Sequence, residues 1–117
     1  MNKINLEDKL ASFTEHWSPK IIAQLNNYDI MVVKVENEFV WHKHDNTDDF
    51  FYVLKGSLDI ELRDQVISLE PGELFVVPCG VEHRPIARSG EVHLLLIEPQ
   101  GTPNTGDVTT ATKKERI

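Results

Sequence analysis

Trp41-His42-Lys43-His44-Asp45-Asn46-Thr47-Asp48-Asp49 places two histidines and the acid pair Asp48-Asp49 within eight residues. The run before it, Glu38-Phe39-Val40-Trp41, is aromatic and β-branched, a composition that favours strand. On a strand, side chains at i and i+2 share a face, about 6.6 Å apart. His42 and His44 are therefore expected to point the same way, with Lys43 opposite, and both can approach one divalent ion to roughly 2.0–2.1 Å. Asp45-Asn46-Thr47 is turn chemistry, because Asx side chains bond their own backbone. The chain should reverse there and return as Asp49–Leu54, bringing a carboxylate beside the histidines. The same alternation sends Phe39, Trp41, Phe50 and Tyr52 outward, an apolar patch that predicts a homodimer or cover by an N-terminal helix. A His-x-His pair is also common on solvated strands, so the remaining ligands must come from elsewhere.

At 117 residues the chain has the length of one domain able to bury a core of its own. Cys79 is its only cysteine, which excludes an intrachain disulfide and a thiolate zinc cage and restricts any metal to nitrogen and oxygen ligands. No apolar run has membrane-spanning length and the N-terminus carries no signal-type segment, so no membrane partner and a cytoplasmic location are expected. The net charge is −7, and the only basic cluster is the short Lys113-Lys114-Glu115-Arg116. Such a surface repels nucleic acid and suits a cation.

Residues 1–19 read as an N-terminal helical segment: Asn5 can cap a helix whose apolar positions are Leu6, Leu10 and Phe13. Residues 20–99 are extended throughout. Runs at Ile21–Leu25 and Asp29–Glu36 flank a turn at Asn26-Asn27, and Lys55-Gly56 reverses into the alternating Leu58–Leu62. Val66–Leu69 and Leu74–Val77 flank a Pro71-Gly72 turn; Val81–Ala87 and Val92–Ile97 flank another at Ser89-Gly90. Eight or nine short strands with regular turns imply an all-β sandwich or barrel. Residues 100–117 form a polar tail without an apolar period, expected to be draped on the surface or disordered.

Beyond Gly72 lie five residues, Pro78-Cys79-Gly80, two more residues and His83. This resembles the second motif of the cupin family. The first cupin motif is matched by His42-x-His44, four residues, Asp49, six residues and Gly56. The resemblance implies a double-stranded β-helix (jelly-roll) cupin barrel with a short N-terminal helix. It also implies one divalent transition metal held by His42, His44, Asp49 and His83. The chain departs from the family pattern in having Asp49 for the usual Glu, Ala87 for a closing Asn, and Glu36 where the first motif opens with Gly. Three imidazoles and a carboxylate suit Zn, Fe, Mn, Ni, Co or Cu rather than Mg or Ca.

Four protein ligands leave positions open for a small molecule or activated water. The expected function is a metal-binding cupin acting on a small organic molecule, as an oxygenase or an isomerase of a sugar or keto acid. The alternative is a ligand-binding or sensory cupin without catalysis. His93, on the last strand, reads either as a satisfied rim histidine or, if the protein is an enzyme, as the first choice for a catalytic proton-transfer group. Glu73, Glu82 and His16 read as solvated loop residues, Tyr52 as outside the site, and Cys79 as a poor nucleophile.

Overall fold

The computed structural model describes residues 1–117. Helix α1 (Leu6–Ala11) is followed by β1 (Lys20–Leu25), β2 (Tyr28–Glu38), β3 (Asp49–Lys55) and β4 (Leu58–Leu62). Then come β5 (Val66–Leu69), β6 (Leu74–Val77), β7 (His83–Pro99) and β8 (Glu115–Arg116). The fold is a jelly-roll barrel. No helix is long and apolar enough to cross a membrane.

The barrel is organised by β7, whose 17 residues pair with β2, β3 and β4 in one continuous, strongly bent sheet. Its first part pairs with β4, from Leu62↔His83 to Asp59↔Ile86. Its second part pairs with β3 at Tyr52↔Leu95, and β2 runs along its other side from Tyr28↔Pro99 to Glu38↔Ile86. The turn expected at Ser89-Gly90 is instead a bulge within this strand. Val35 faces Val92 and Asn37 faces Ala87, so Arg88–Glu91 loop out and let the strand bend. Lys55-Gly56 does not form a hairpin either, since β3 and β4 both pair with β7 and not with each other. Gly56 sits at φ +85, where a Cβ would lie 3.0 Å from the Glu91 carbonyl oxygen. The close approach of two backbones explains a glycine there.

The core follows from strand alternation. Val33, Val35, Phe51, Val53, Leu58, Ile60, Leu69, Val77, Val92 and Leu94 are buried inside the barrel. Asn5 caps α1, accepting from the Asp8 N–H at 3.0 Å, a contact typically worth about 1 kcal/mol. The helix stops at Ala11, so Phe13 lies beyond it, yet Leu10 and Phe13 still pack on Ile22 and Val32 outside the barrel.

One further expectation needs correction. The outward aromatic patch does not form as drawn, because β2 ends at Glu38 and residues 39–48 form no regular strand. Phe39 turns inward to stack on Trp17, with ring centroids 4.7 Å apart. Trp41 lies under the guanidinium groups of Arg63 and Arg84, at 3.9 and 5.3 Å. Only Phe50 and Tyr52 keep the outer face, beside the exposed Val76 and Leu74 of β6. The C-terminal tail takes the draped form of the two expected: β8 pairs in parallel with β1, and Gly106 comes so near the Lys43 carbonyl oxygen that a Cβ there would clash. The tail is therefore packed directly on the His-x-His loop.

Candidate metal centre

His42 and His83 face each other through a two-residue bridge, with backbone N–H to carbonyl contacts of 3.0 and 2.9 Å in the two directions. The Gly80 N–H donates to the His44 carbonyl at 2.8 Å, which ties the second motif to the first. Asp49 opens β3 opposite Val77. Although residues 39–48 are not strand, the i, i+2 relation survives: His42 and His44 are buried and Lys43 is exposed.

The ligand atoms of His42, His44, Asp49 and His83 lie within 4.8 Å of one another, an arrangement that could hold a metal ion. Asp48 turns away, its Oδ1 accepting the Cys79 N–H at 2.8 Å. The imidazoles are oriented by backbone. His42 Nδ1 lies 2.9 Å from the Val40 carbonyl oxygen, and His83 Nδ1 lies 2.9 Å from that of Val81. A carbonyl only accepts, so both Nδ1 atoms carry protons and both Nε2 atoms keep lone pairs for a metal. His83 Nε2 is 2.8 Å and His44 Nε2 3.2 Å from Asp49 Oδ2. A lone pair meeting a carboxylate oxygen at that distance is repulsive unless a proton or a cation sits between them. The donor set thus fits a divalent transition ion.

Burial pushes His42 down to about 4, so its ring is neutral near pH 7 and available to a metal. Burial opposes ionisation of Asp49, but in the metal-free chain a proton on His44 or His83 Nε2, donated to Oδ2, outweighs it and holds the carboxyl at about 2. Burial likewise works against charge on His44, and its bond to Asp49 prevails, raising it.

The cluster opens into a cavity of about 50 Å3, walled by Trp17, Phe39, Phe51, Leu94 and Leu96, with Glu98 and Asn104 as its further polar residues. His93 is not among them. Along β7 the residues facing the cavity are Leu94, Leu96 and Glu98, so His93 points to the outer face, where its Nε2 meets Glu91 at 2.8 Å. That alternation corrects the expectation of His93 as a proton-transfer group at the metal and puts Glu98 on the inner face. The same parity was available in the sequence. Trp17 and Asn104 had no such signal, since neither lies on a long alternating strand.

Trp17 adopts φ 57, a left-handed conformation that costs a bulky residue about 1–2 kcal/mol. It is held there by its Nε1–H donating to the Glu36 carbonyl at 2.9 Å and by the stack on Phe39. Phe39 in turn meets the His42 ring edge-on at 5.2 Å. Glu73 and Glu82 lie outside the cluster: Glu73 accepts the Glu70 N–H at 2.8 Å and Glu82 pairs with Arg63 at 3.1 Å. Cys79 is exposed, and His16 binds Glu91 at 2.7 Å.

The Cupin domain family matches residues 29–98. A cupin-2 domain containing protein of known structure from Shewanella frigidimarina is 50% identical with a TM-score of 0.81, covering 83% of this chain and 94% of that one. YdbB of Bacillus subtilis is 30% identical over 80 residues, 68% of this chain and 65% of its own length. A 3-hydroxyanthranilate 3,4-dioxygenase of Xanthomonas euvesicatoria is 28% identical over 88 residues, 72% of this chain and 49% of its own length. The chain thus spans about half to two thirds of the length of these two curated relatives. With the barrel, the paired motifs and the family match in agreement, this chain belongs to the cupin superfamily.

Proposed function

We propose that this chain binds one divalent transition metal through His42, His44, Asp49 and His83 and acts as an oxygenase on a small hydroxylated ring compound. The observation that carries the reading is the contrast within the cavity, a nitrogen-rich ligand cluster set in a wall that is otherwise mostly apolar and aromatic. A sugar would bury several hydroxyls against that wall, at about 1–3 kcal/mol for each one left unpaired, whereas a flat ring packs on Phe39 and Phe51. The similarity to 3-hydroxyanthranilate 3,4-dioxygenases supports the same choice. A metal with four protein ligands supplies Lewis acidity and open coordination positions. The chain itself contributes fixed imidazole tautomers, an aromatic wall and exclusion of water.

The placement of His93 on the outer face, away from the cluster, favours a second reading, a binding module for a small ligand without catalysis. Elemental analysis followed by oxygen-uptake assays with 3-hydroxyanthranilate separates the two. Retention of iron or another redox-active metal with oxygen uptake supports the oxygenase. Ring binding without uptake, across Fe, Mn, Co, Ni, Cu and Zn, supports the binding module. Failure to retain any metal sinks both metal-dependent readings.

A second copy of the chain is the proposed protein partner. On the outer face Phe50 and Tyr52 sit beside Val76 and Leu74, which are 41% and 53% exposed, and β6 pairs with β3 alone, leaving an open edge. Light scattering should give a dimer, and Val76→Lys should give a monomer. A wild-type chain that is monomeric at micromolar concentration refutes this.

A further inference from the structure

The part of the cavity lined by Glu98 of β7 and Asn104 is closed by the C-terminal tail. Glu98 is only 6% exposed, yet it lines the cavity together with His42, His44 and Asp49. Its Oε1 takes an ion pair from Lys114, whose ammonium also donates to the Thr102 carbonyl. Lys114 is itself buried, with 11% of its side chain exposed. The second oxygen, Oε2, has no hydrogen bond within the chain, and no polar side-chain atom is both sealed from solvent and unpartnered. Oε2 is therefore an open acceptor.

Asn104 is fixed in the complementary sense. Its Oδ1 accepts the Thr112 N–H at 3.0 Å, which orients the amide and leaves Nδ2 as the free donor. Both residues thus combine one atom tied to the tail with one atom left unused. A groove between Asp45–Thr47 and residues 99–108 meets the cavity at His44, one of the cluster histidines.

We propose that Glu98 and Asn104 are the ligand-orienting residues of this cupin, with Lys114 as the positioning residue that sets Glu98. Glu98 Oε2 accepts from a hydroxyl or amino group of the ring compound, and Asn104 Nδ2 donates to one of its oxygens. The ligand lies beside the His42/His44/Asp49/His83 cluster, since Glu98 shares the cavity with His42, His44 and Asp49. The inference rests on the proposed ring substrate and specifies what that ring must carry: a hydrogen-bond donor for Glu98 and an acceptor oxygen for Asn104.

The test is binding of 3-hydroxyanthranilate to the full chain, loaded with cobalt and also metal-free, followed by tryptophan fluorescence. Glu98→Gln and Asn104→Ala are each expected to weaken binding about tenfold or more, and Lys114→Met several-fold, while cobalt per chain stays at the wild-type value. The double variant Glu98→Gln/Lys114→Met, which leaves no unpaired buried charge, guards against misfolding and should bind as weakly as Glu98→Gln. Wild-type binding that is unchanged within twofold in Glu98→Gln, Asn104→Ala and the double variant overturns the inference and leaves the metal reading intact. If cobalt does not bind but the metal-free chain takes up the ring and Glu98→Gln weakens it, the anchor stands and the metal reading falls. No binding of the ring by any form overturns the inference together with the ring-substrate reading, and the cobalt content then judges the metal reading separately.

Discussion

The two ends of the cavity are held by different means. At the cluster end His42 and His83 are each oriented by a carbonyl two residues away, on Val40 and Val81, and a backbone bridge locks the two histidines together. At the other end Glu98 is oriented by Lys114, sixteen residues on, and Asn104 by Thr112. Local contacts form whenever the strands form, whereas the tail's contacts hold only while the tail is docked. Metal binding and ligand orientation should therefore fail separately.

The largest expected effect is at the cluster end. His83→Ala should reduce cobalt per chain to background in elemental analysis, with the tail still docked by hydrogen exchange of residues 100–117. Loss of both together would break the comparison.

Acidification should act next, and again on the cluster. His42 has a folded value of about 4 against 6.5 unfolded, so the unfolded chain takes up a proton that the folded chain refuses. Stability of the metal-free protein is therefore intact above pH 6.5 and is lost as pH falls through that value toward 4, by up to about 3 kcal/mol. His44, shifted upward, offsets part of this in the same range. Urea midpoints between pH 7 and 4 read the net slope. A midpoint that rises on acidification would show that His44 dominates.

Lys114→Met sharpens the comparison from the tail side. It leaves Glu98 buried without its cation, a change that costs about 3 kcal/mol in the worst case and less if Glu98, already raised by burial, takes up a proton. The urea midpoint should fall and exchange in residues 100–117 should accelerate, with cobalt retained. Smallest is Asp48→Ala, which removes the bond to the Cys79 N–H at 2.8 Å, worth about 1 kcal/mol. Cobalt should remain bound, whereas Asp49→Ala should release it; the reverse outcome would exchange the roles assigned to the two acids.

The all-β class was legible in the sequence because strand alternation is a short-range regularity, and it marked Leu58 and Ile60 for the core. The jelly-roll barrel and the joining of His83 to His42, His44 and Asp49 rested instead on the resemblance to the two cupin motifs, since the two halves lie far apart in the chain. Asp49 rather than Asp48 followed from its spacing to Gly56. The inner face of β7 was also legible in principle: the parity that buries Leu94 includes Glu98 and excludes His93. Only the tertiary structure decided that Ser89-Gly90 is a bulge in a bent strand, because nothing local separates a turn from a strand that bends. It alone turned Phe39 inward onto Trp17 and docked the polar tail through Lys114, Asn104 and Gly106. Those contacts join residues far apart in the chain, and their energy comes from burial and from matching donors with acceptors, which no local periodicity records.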